Sequence, residues 1–261
     1  MAKAIAVCNQ KGGVGKSTTA VNVCSYLALS GRKTLLIDLD TQGNATTTCG
    51  ISRQEAAEQD IYQALINGLD LQEVIRKTSV EGLDIIPASI DLVGAESYLA
   101  AVEQKESILK KMCEMVKSKY EFLIFDCPPS LGLLTVNALV AADSTIIPVQ
   151  CEYLALEGLS SLMRSVNLIK QKLNPSLHVG GIVLTMTDFR ANLAREVADE
   201  VKNYFKDMVF KTSIPRNIRL AESPSFGKPI CLYDPNSTGA LAYRLLSQEV
   251  INKEIFGIGA T

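Results

Sequence analysis

Apolar and polar positions along this chain fall into two alternating rhythms. Short, nearly continuous apolar runs cover 4–8, 34–37, 83–86, 122–125, 145–149 and 181–184, each bounded by turn-forming or polar residues. Longer stretches with apolar residues at three- and four-residue spacing fill 18–29, 61–66, 106–117, 133–141, 156–173, 193–205 and 240–253. A run that is apolar at almost every position fits a strand buried on both faces, and the longer stretches fit the helices that bury it. Strand and helix in alternation predict an α/β chain, a mostly parallel twisted sheet with helices on both faces. In such sheets ligands collect beyond the carboxyl ends of the strands. No Pro/Gly/Ser linker, charge block, repeat or low-complexity segment interrupts the pattern, so residues 1–261 are expected to form a single domain.

Composition narrows the partners rather than the fold. At 47% hydrophobic the chain has the material for a sizeable core. Its 26 Lys and Arg against 28 Asp and Glu give a net charge of −2, so no global positive field draws in nucleic acid. Any contact with DNA has to come from a local patch or an assembled dimer. The seven cysteines, at 8, 24, 49, 113, 127, 151 and 231, include no C-x-x-C pair, so neither a zinc ribbon nor a thioredoxin-type site is indicated. Their odd number, in a chain whose start lacks a signal-peptide layout, suggests a reducing cytosol. No apolar run reaches transmembrane length; 132–142 is stopped by Asp143. The only histidine, His178, has no partner in sequence and is assigned no role.

Chemistry enters directly after the first strand. Lys11-Gly12-Gly13-Val14-Gly15-Lys16-Ser17 joins it to the helix that Thr18 opens, the strand–glycine loop–helix order of a phosphate-binding loop. Glycines let consecutive backbone N–H groups turn inward around an anion, and the helix behind points its positive end at the same place. Lys16 would place a cation on β- and γ-phosphates, and the Ser17 hydroxyl would bind Mg²⁺. A ligand-free turn has no use for two lysines and a hydroxyl here. The 34–37 strand ends in Asp38-Leu39-Asp40, two acids leaving the strand toward one side. The 122–125 strand ends in Asp126, the Walker B pattern, whose carboxylate should hold Mg²⁺ through water. Many buried strands end in Asp, so this signal draws its weight from the glycine loop.

The loop departs from the common form: Gln10 stands where a glycine is usual, and Lys11 precedes the double glycine. It resembles the deviant Walker A box of the ParA/MinD group of P-loop ATPases. Asp38-Leu39-Asp40-Thr41-Gln42-Gly43-Asn44 is similar to the DxDPQGN segment of the ParA/Soj partition ATPases, with Thr41 in place of the proline that stiffens the loop. Asp126-Cys127-Pro128-Pro129-Ser130, the 150–159 segment, Ile214-Pro215-Arg216-Asn217, the 220–229 segment and 232–235 resemble the same family, so the likeness runs from Ile5 to about Tyr243. It implies ATP and Mg²⁺ as cofactors and a homodimer that sandwiches two nucleotides, with Lys11 reaching the phosphates held by the partner. It implies that Asp40 positions the attacking water and that Pro215 and Asn217 border the adenine. It places non-specific double-stranded DNA on Arg190 and Arg219, with Lys202 and Lys206 able to add to the patch. It also implies a ParB/Spo0J-type protein that stimulates hydrolysis, a cytoplasmic, nucleoid-associated location, and a role in chromosome or plasmid segregation.

Three other readings share the loop. A MinD-like membrane-positioning ATPase needs a basic amphipathic C-terminus, but 238–261 sets Arg244 and Lys253 against Glu249 and Glu254. An iron–sulfur scaffold needs cysteines placed to bridge a cluster between subunits. A small-molecule ligase needs a substrate site, and none is visible in the sequence.

Overall fold

The computed structural model describes residues 2–153 and 155–256. Leu154, within the 150–159 segment, and the tail 257–261 lie outside the described residues. The chain runs β1 (Lys3–Val7), α1 (Lys16–Leu29), β2 (Thr34–Asp38), α2 (Asn44–Thr48), α3 (Arg53–Glu58), α4 (Ile61–Asn67), β3 (Arg76–Lys77), β4 (Leu83–Ile86), α5 (Leu92–Leu99) and α6 (Ile108–Glu114). It continues β5 (Phe122–Asp126), α7 (Leu133–Ala141), β6 (Ser144–Gln150), α8 (Ala155–Lys172), β7 (His178–Thr185), α9 (Asn192–Phe205), α10 (Ile218–Glu222), α11 (Ile230–Tyr233) and α12 (Thr238–Phe256).

The seven strands form one sheet in the order β3-β4-β2-β5-β1-β6-β7, parallel except for β3 against β4. Side chains alternate across a strand, and this splits the core in two. Ala4, Ala6, Leu35, Ile37, Leu123 and Phe125 face one side, under α4 to α9. Ile5, Val7, Leu36, Phe122, Ile124 and Ile146 face the other, under α1, α2 and α10 to α12. The expected sheet, buried on both faces, is therefore present.

The connections locate the site. From β1 the chain crosses by α1, on one face, to β2; from the neighbouring β5 it crosses the opposite way by α7, on the other face, to β6. A single crossover hand requires that change of face when direction reverses. The segments leaving β1 and β5 part to opposite sides, and a crevice opens beyond their carboxyl ends.

Candidate nucleotide-binding site

The glycine loop fills that crevice. Gly13 and Gly15 adopt φ of 74° and 86°, the left-handed region open to glycine at no steric cost. Gly15 precedes α1, which has no side-chain cap and no acid in its first turn. Its first N–H groups are left for an external anion. A Cβ at Gly12 or Gly13 would meet nothing within 4 Å, so the space over the loop is open. The Thr185 hydroxyl donates to the Val14 carbonyl at 2.8 Å, tying the loop to β7. Asn9 donates to the Pro148 carbonyl at 2.7 Å and accepts the Lys11 N–H at 3.0 Å, fixing the turn where the loop begins. Sequence reasoning passed over both Asn9 and Thr185. An asparagine two residues before a turn is a weak local signal for the first; Thr185 has none, because its contact spans 171 residues.

Lys16, Asp126 and Asp40 converge below the loop. Lys16 is 6% exposed and its Nζ donates to the Lys11 carbonyl at 3.1 Å. Burial lowers its pKa, opposed by the charge of Asp126 and then of Asp40. Asp126 is fully buried, and neither carboxylate oxygen has a hydrogen-bond partner. Burial, followed by the charge of Asp38, holds its pKa well above the usual range; the Ser17 hydroxyl, near but not in bonding geometry, and Lys16 act the other way. A buried carboxyl without donors is stable as the acid or beside a cation. With Ser17 next to it, this orphaned carboxylate fits a hard divalent ion such as Mg²⁺.

The two acids at the end of β2 do different work. Asp38 is saturated: Oδ1 accepts the Asp40 N–H at 3.0 Å, and Oδ2 accepts the N–H and O–H of Thr46 at 2.9 and 2.7 Å. Burial nevertheless raises its pKa to about 6. Asp38 therefore braces the loop. Asp40, 6% exposed, accepts the Gln42 N–H at 3.0 Å, and its carbonyl accepts the Gly43 N–H at 2.9 Å. Three bonds hold this segment although Thr41 replaces the stiffening proline.

Lys11 lies at the rim rather than in the crevice, paired with Glu152 at 2.7 Å, both side chains about half exposed. A separate pocket of about 320 Å³ beside α1 is lined by Gly15, Thr18, Thr185, Pro215, Arg216 and Asn217, among others. The Asn217 amide is already at work there. Its oxygen caps α10 by accepting the Leu220 N–H at 3.2 Å, and its nitrogen donates to Thr238 Oγ1 at 2.9 Å. One lone pair and one N–H remain for a base edge.

Residues 2–179 match the AAA domain family. The chain is 54% identical to the sporulation initiation inhibitor protein Soj of Bacillus subtilis over 250 residues, 96% of this chain and 98% of that one. It is 50% identical to the chromosome partitioning protein ParA of Myxococcus xanthus, over 96% and 88% of the two chains. The chain belongs to the ParA/Soj chromosome-partitioning family. Among solved structures, cobyrinic acid a,c-diamide synthase of Mycobacterium smegmatis with bound ADP and magnesium superposes at a TM-score of 0.86 with 32% identity, covering 99% of this chain and 97% of that one. The fold is that of a P-loop NTPase.

In this ParA/Soj-family chain Arg190 sits on the loop after β7 and Arg219 in α10, and the loops leading to them are joined by the Arg216 N–H donating to the Thr187 carbonyl at 3.1 Å. Both guanidinium groups are exposed, and both are engaged. Arg190 makes a two-pronged contact with Asp188, at 2.8 and 2.6 Å, which lowers the Asp188 pKa to about 2. Arg219 meets Glu222 at 3.0 Å and Asp234 at 3.4 Å. Further positive charge stands close by: Arg195 donates to the Phe189 carbonyl, Lys202 lies over the Phe189 ring, and Arg216 acts on Asp188.

Proposed function

We propose that residues 1–261 act as one ATP-hydrolysing unit that dimerises on ATP, binds double-stranded DNA without sequence preference, and segregates chromosomal or plasmid DNA with a ParB/Spo0J-type partner. The observation that carries the nucleotide reading is the buried, unpartnered Asp126 beside an uncapped glycine cradle and a buried lysine. Identity of 54% with Soj carries the partition reading over a synthase sharing the fold at 32%.

In this reading Lys16 and the N–H groups at the start of α1 hold the β- and γ-phosphates, and Pro215 and Asn217 border the adenine. Ser17 and Asp126 would hold Mg²⁺, whose charge would offset that of the phosphates. Asp40 orients a water at the γ-phosphate and accepts its proton as the phosphate leaves. Lys11 exchanges Glu152 for the phosphates held by a second subunit, a cation delivered in trans. The exposed Lys11–Glu152 pair is a weak tether, so the exchange is easy to make.

The rival readings meet specific obstacles. Among the described residues no helix is long and apolar enough to cross a membrane, and α12 offers no free basic face. Lys253 is spent on the Gly180 and Asp207 carbonyls, and Glu254 is buried. All seven cysteines are free and buried, with Cys8 raised to about 11 by burial. A cluster shared between subunits would need cysteines at the surface.

Two measurements test this function. DNA binding with ATP, ADP and no nucleotide, over a salt series, is expected to be ATP-dependent and to weaken steeply with salt. Binding that ignores nucleotide would refute it. Arg190→Glu is expected to lower DNA affinity about ten-fold or more with ATP-dependent dimerisation unchanged, and Asp188→Asn, which frees Arg190, to raise it. Equal affinity in all three proteins would remove Arg190 from the interface.

The raised pKa of Asp126 gives a pH prediction. Free protein keeps the proton to a higher pH than an ordinary aspartate, whereas cation binding needs the carboxylate. MgATP binding therefore releases a proton below that raised pKa, and affinity climbs with pH until it is passed. Calorimetry in buffers of different ionisation enthalpy reads the proton directly. Asp126→Asn should abolish the release; an unchanged release would place the titrating group elsewhere.

A further inference from the structure

The segment 127–132 leaves Asp126 and enters α7 at Gly132, and no side chain of its own caps that helix. Glu96, on α5, supplies what is missing. Its carboxylate occupies the space a Cβ at residue 132 would need, and its Oε1 accepts the Leu134 N–H at 3.4 Å. A negative charge over the first turn complements the helix dipole, and only glycine at 132 lets it approach so closely. The other end of α5 is tied to the second flank of the crevice. Just before that helix, the Ala88 N–H donates to Thr46 Oγ1 at 2.9 Å, the Thr46 hydroxyl donates to Asp38 at 2.7 Å, and Asp38 accepts the Asp40 N–H at 3.0 Å.

We propose that Glu96 is a positioning residue for hydrolysis. Seated on the start of α7, its carboxylate sets the 127–132 segment against the segment carrying Asp40, and α5 makes the two flanks of the γ-phosphate position move as one piece. Neither Glu96 nor Gly132 belongs to the nucleotide cradle, so the link acts on the alignment of the attacking water and leaves the grip on ADP unaltered. The proposal rests on the ATPase reading above and adds to it how the Asp40 side and the Asp126 side are kept in register. It also gives a reason for glycine at 132 that the phosphate loop does not supply.

The test compares Glu96→Ala and Glu96→Gln with the native full-length chain. Three quantities are read: kcat for ATP, Kd for MgADP, and amide hydrogen exchange at Leu134. Glu96→Ala is expected to lower kcat about five-fold, to leave the ADP Kd within about two-fold, and to speed Leu134 exchange. Glu96→Gln keeps an acceptor oxygen and should recover part of kcat and of the Leu134 protection. Native kcat in Glu96→Ala would overturn the proposal. So would unchanged Leu134 exchange, or a loss of ADP affinity and melting temperature in step with kcat, which marks a purely structural contact. If the native protein hydrolyses no ATP, the ATPase reading fails by itself, whereas the exchange measurement still reports whether Glu96 holds α7.

Discussion

Replacing Lys16 with glutamine is expected to weaken MgATP binding by about 100-fold or more while leaving the fold in place. Lys16 is buried against Asp126 and Asp40, and burial disfavours its charge. The site keeps a desolvated cation whose charge is only partly met in the empty protein. A triphosphate would meet that cation, which also offsets the two carboxyl groups that would otherwise face the phosphates. Removing one partner from a buried charge pair costs about 3–5 kcal/mol, which is a factor of roughly 10² to 10⁴ in affinity. Glutamine keeps a donor for the Lys11 carbonyl that Lys16 holds at 3.1 Å, so the loop has no reason to collapse. Titration calorimetry with MgATP and MgADP, alongside a melting curve, decides the matter. A Kd within about three-fold of the native value would mean that phosphates do not sit over Lys16.

The elements that position this site were legible because they are deeply buried and therefore strongly patterned. The six parallel strands were found within three residues at each end, and the 133–141 helix coincides with α7. What escaped is short or lies at the margin. The edge strand β3 is two charged residues, Arg76 and Lys77, with no alternation to read. The five-residue α2 and α10 are too short to show a helical period and are held by ties to residues outside themselves, Thr46 to Asp38 and Asn217 to Thr238. The buried residues of α5, Leu92, Ala95 and Leu99, do have helical spacing, but exposed Val93 and Tyr98 mask it. The continuous helix expected over 106–117 is broken instead into a 3-10 turn at Lys105–Ser107, α6, and a second 3-10 turn at Lys117–Lys119.

The site divides along the same line. Its phosphate loop and terminal acids are local in sequence, and their residue types follow from the charge they must meet. Pairing partners are another matter. Glu152 for Lys11 and Glu96 for α7 are set by tertiary approach, and an acidic residue in a chain with 28 of them carries no mark of the distant partner it will find. The arginines are a different case. Sequence reasoning takes both as surface cations and neither as one already paired, although Asp188 stands two residues before Arg190 and Glu222 three after Arg219; that pairing decides how much of the charge reaches DNA phosphate.

Asp40→Ala is expected to separate binding from chemistry. The resemblance implies that Asp40 positions the water, and the geometry favours the same acid: Asp38 already accepts three hydrogen bonds, whereas Asp40 keeps most of its accepting capacity and stands 6% exposed near Lys16. A group that aligns water and takes its proton contributes about 10²- to 10⁴-fold to a rate. Removing the Asp40 carboxylate should lower kcat by about 100-fold at least. Asp38 would still hold the segment through the residue 40 N–H, a backbone group that alanine retains. ATP affinity should change little, or rise slightly, since one negative charge facing the γ-phosphate is gone. The protein should then accumulate in its ATP-bound form, visible as a dimer by light scattering that persists after nucleotide is diluted. Asp38→Asn makes the contrast: it disturbs a saturated brace, so stability falls together with every activity. If Asp40→Ala instead loses ATP binding, or if its dimer turns over at the native rate, Asp40 does not align the water, and the base must be sought elsewhere around the crevice.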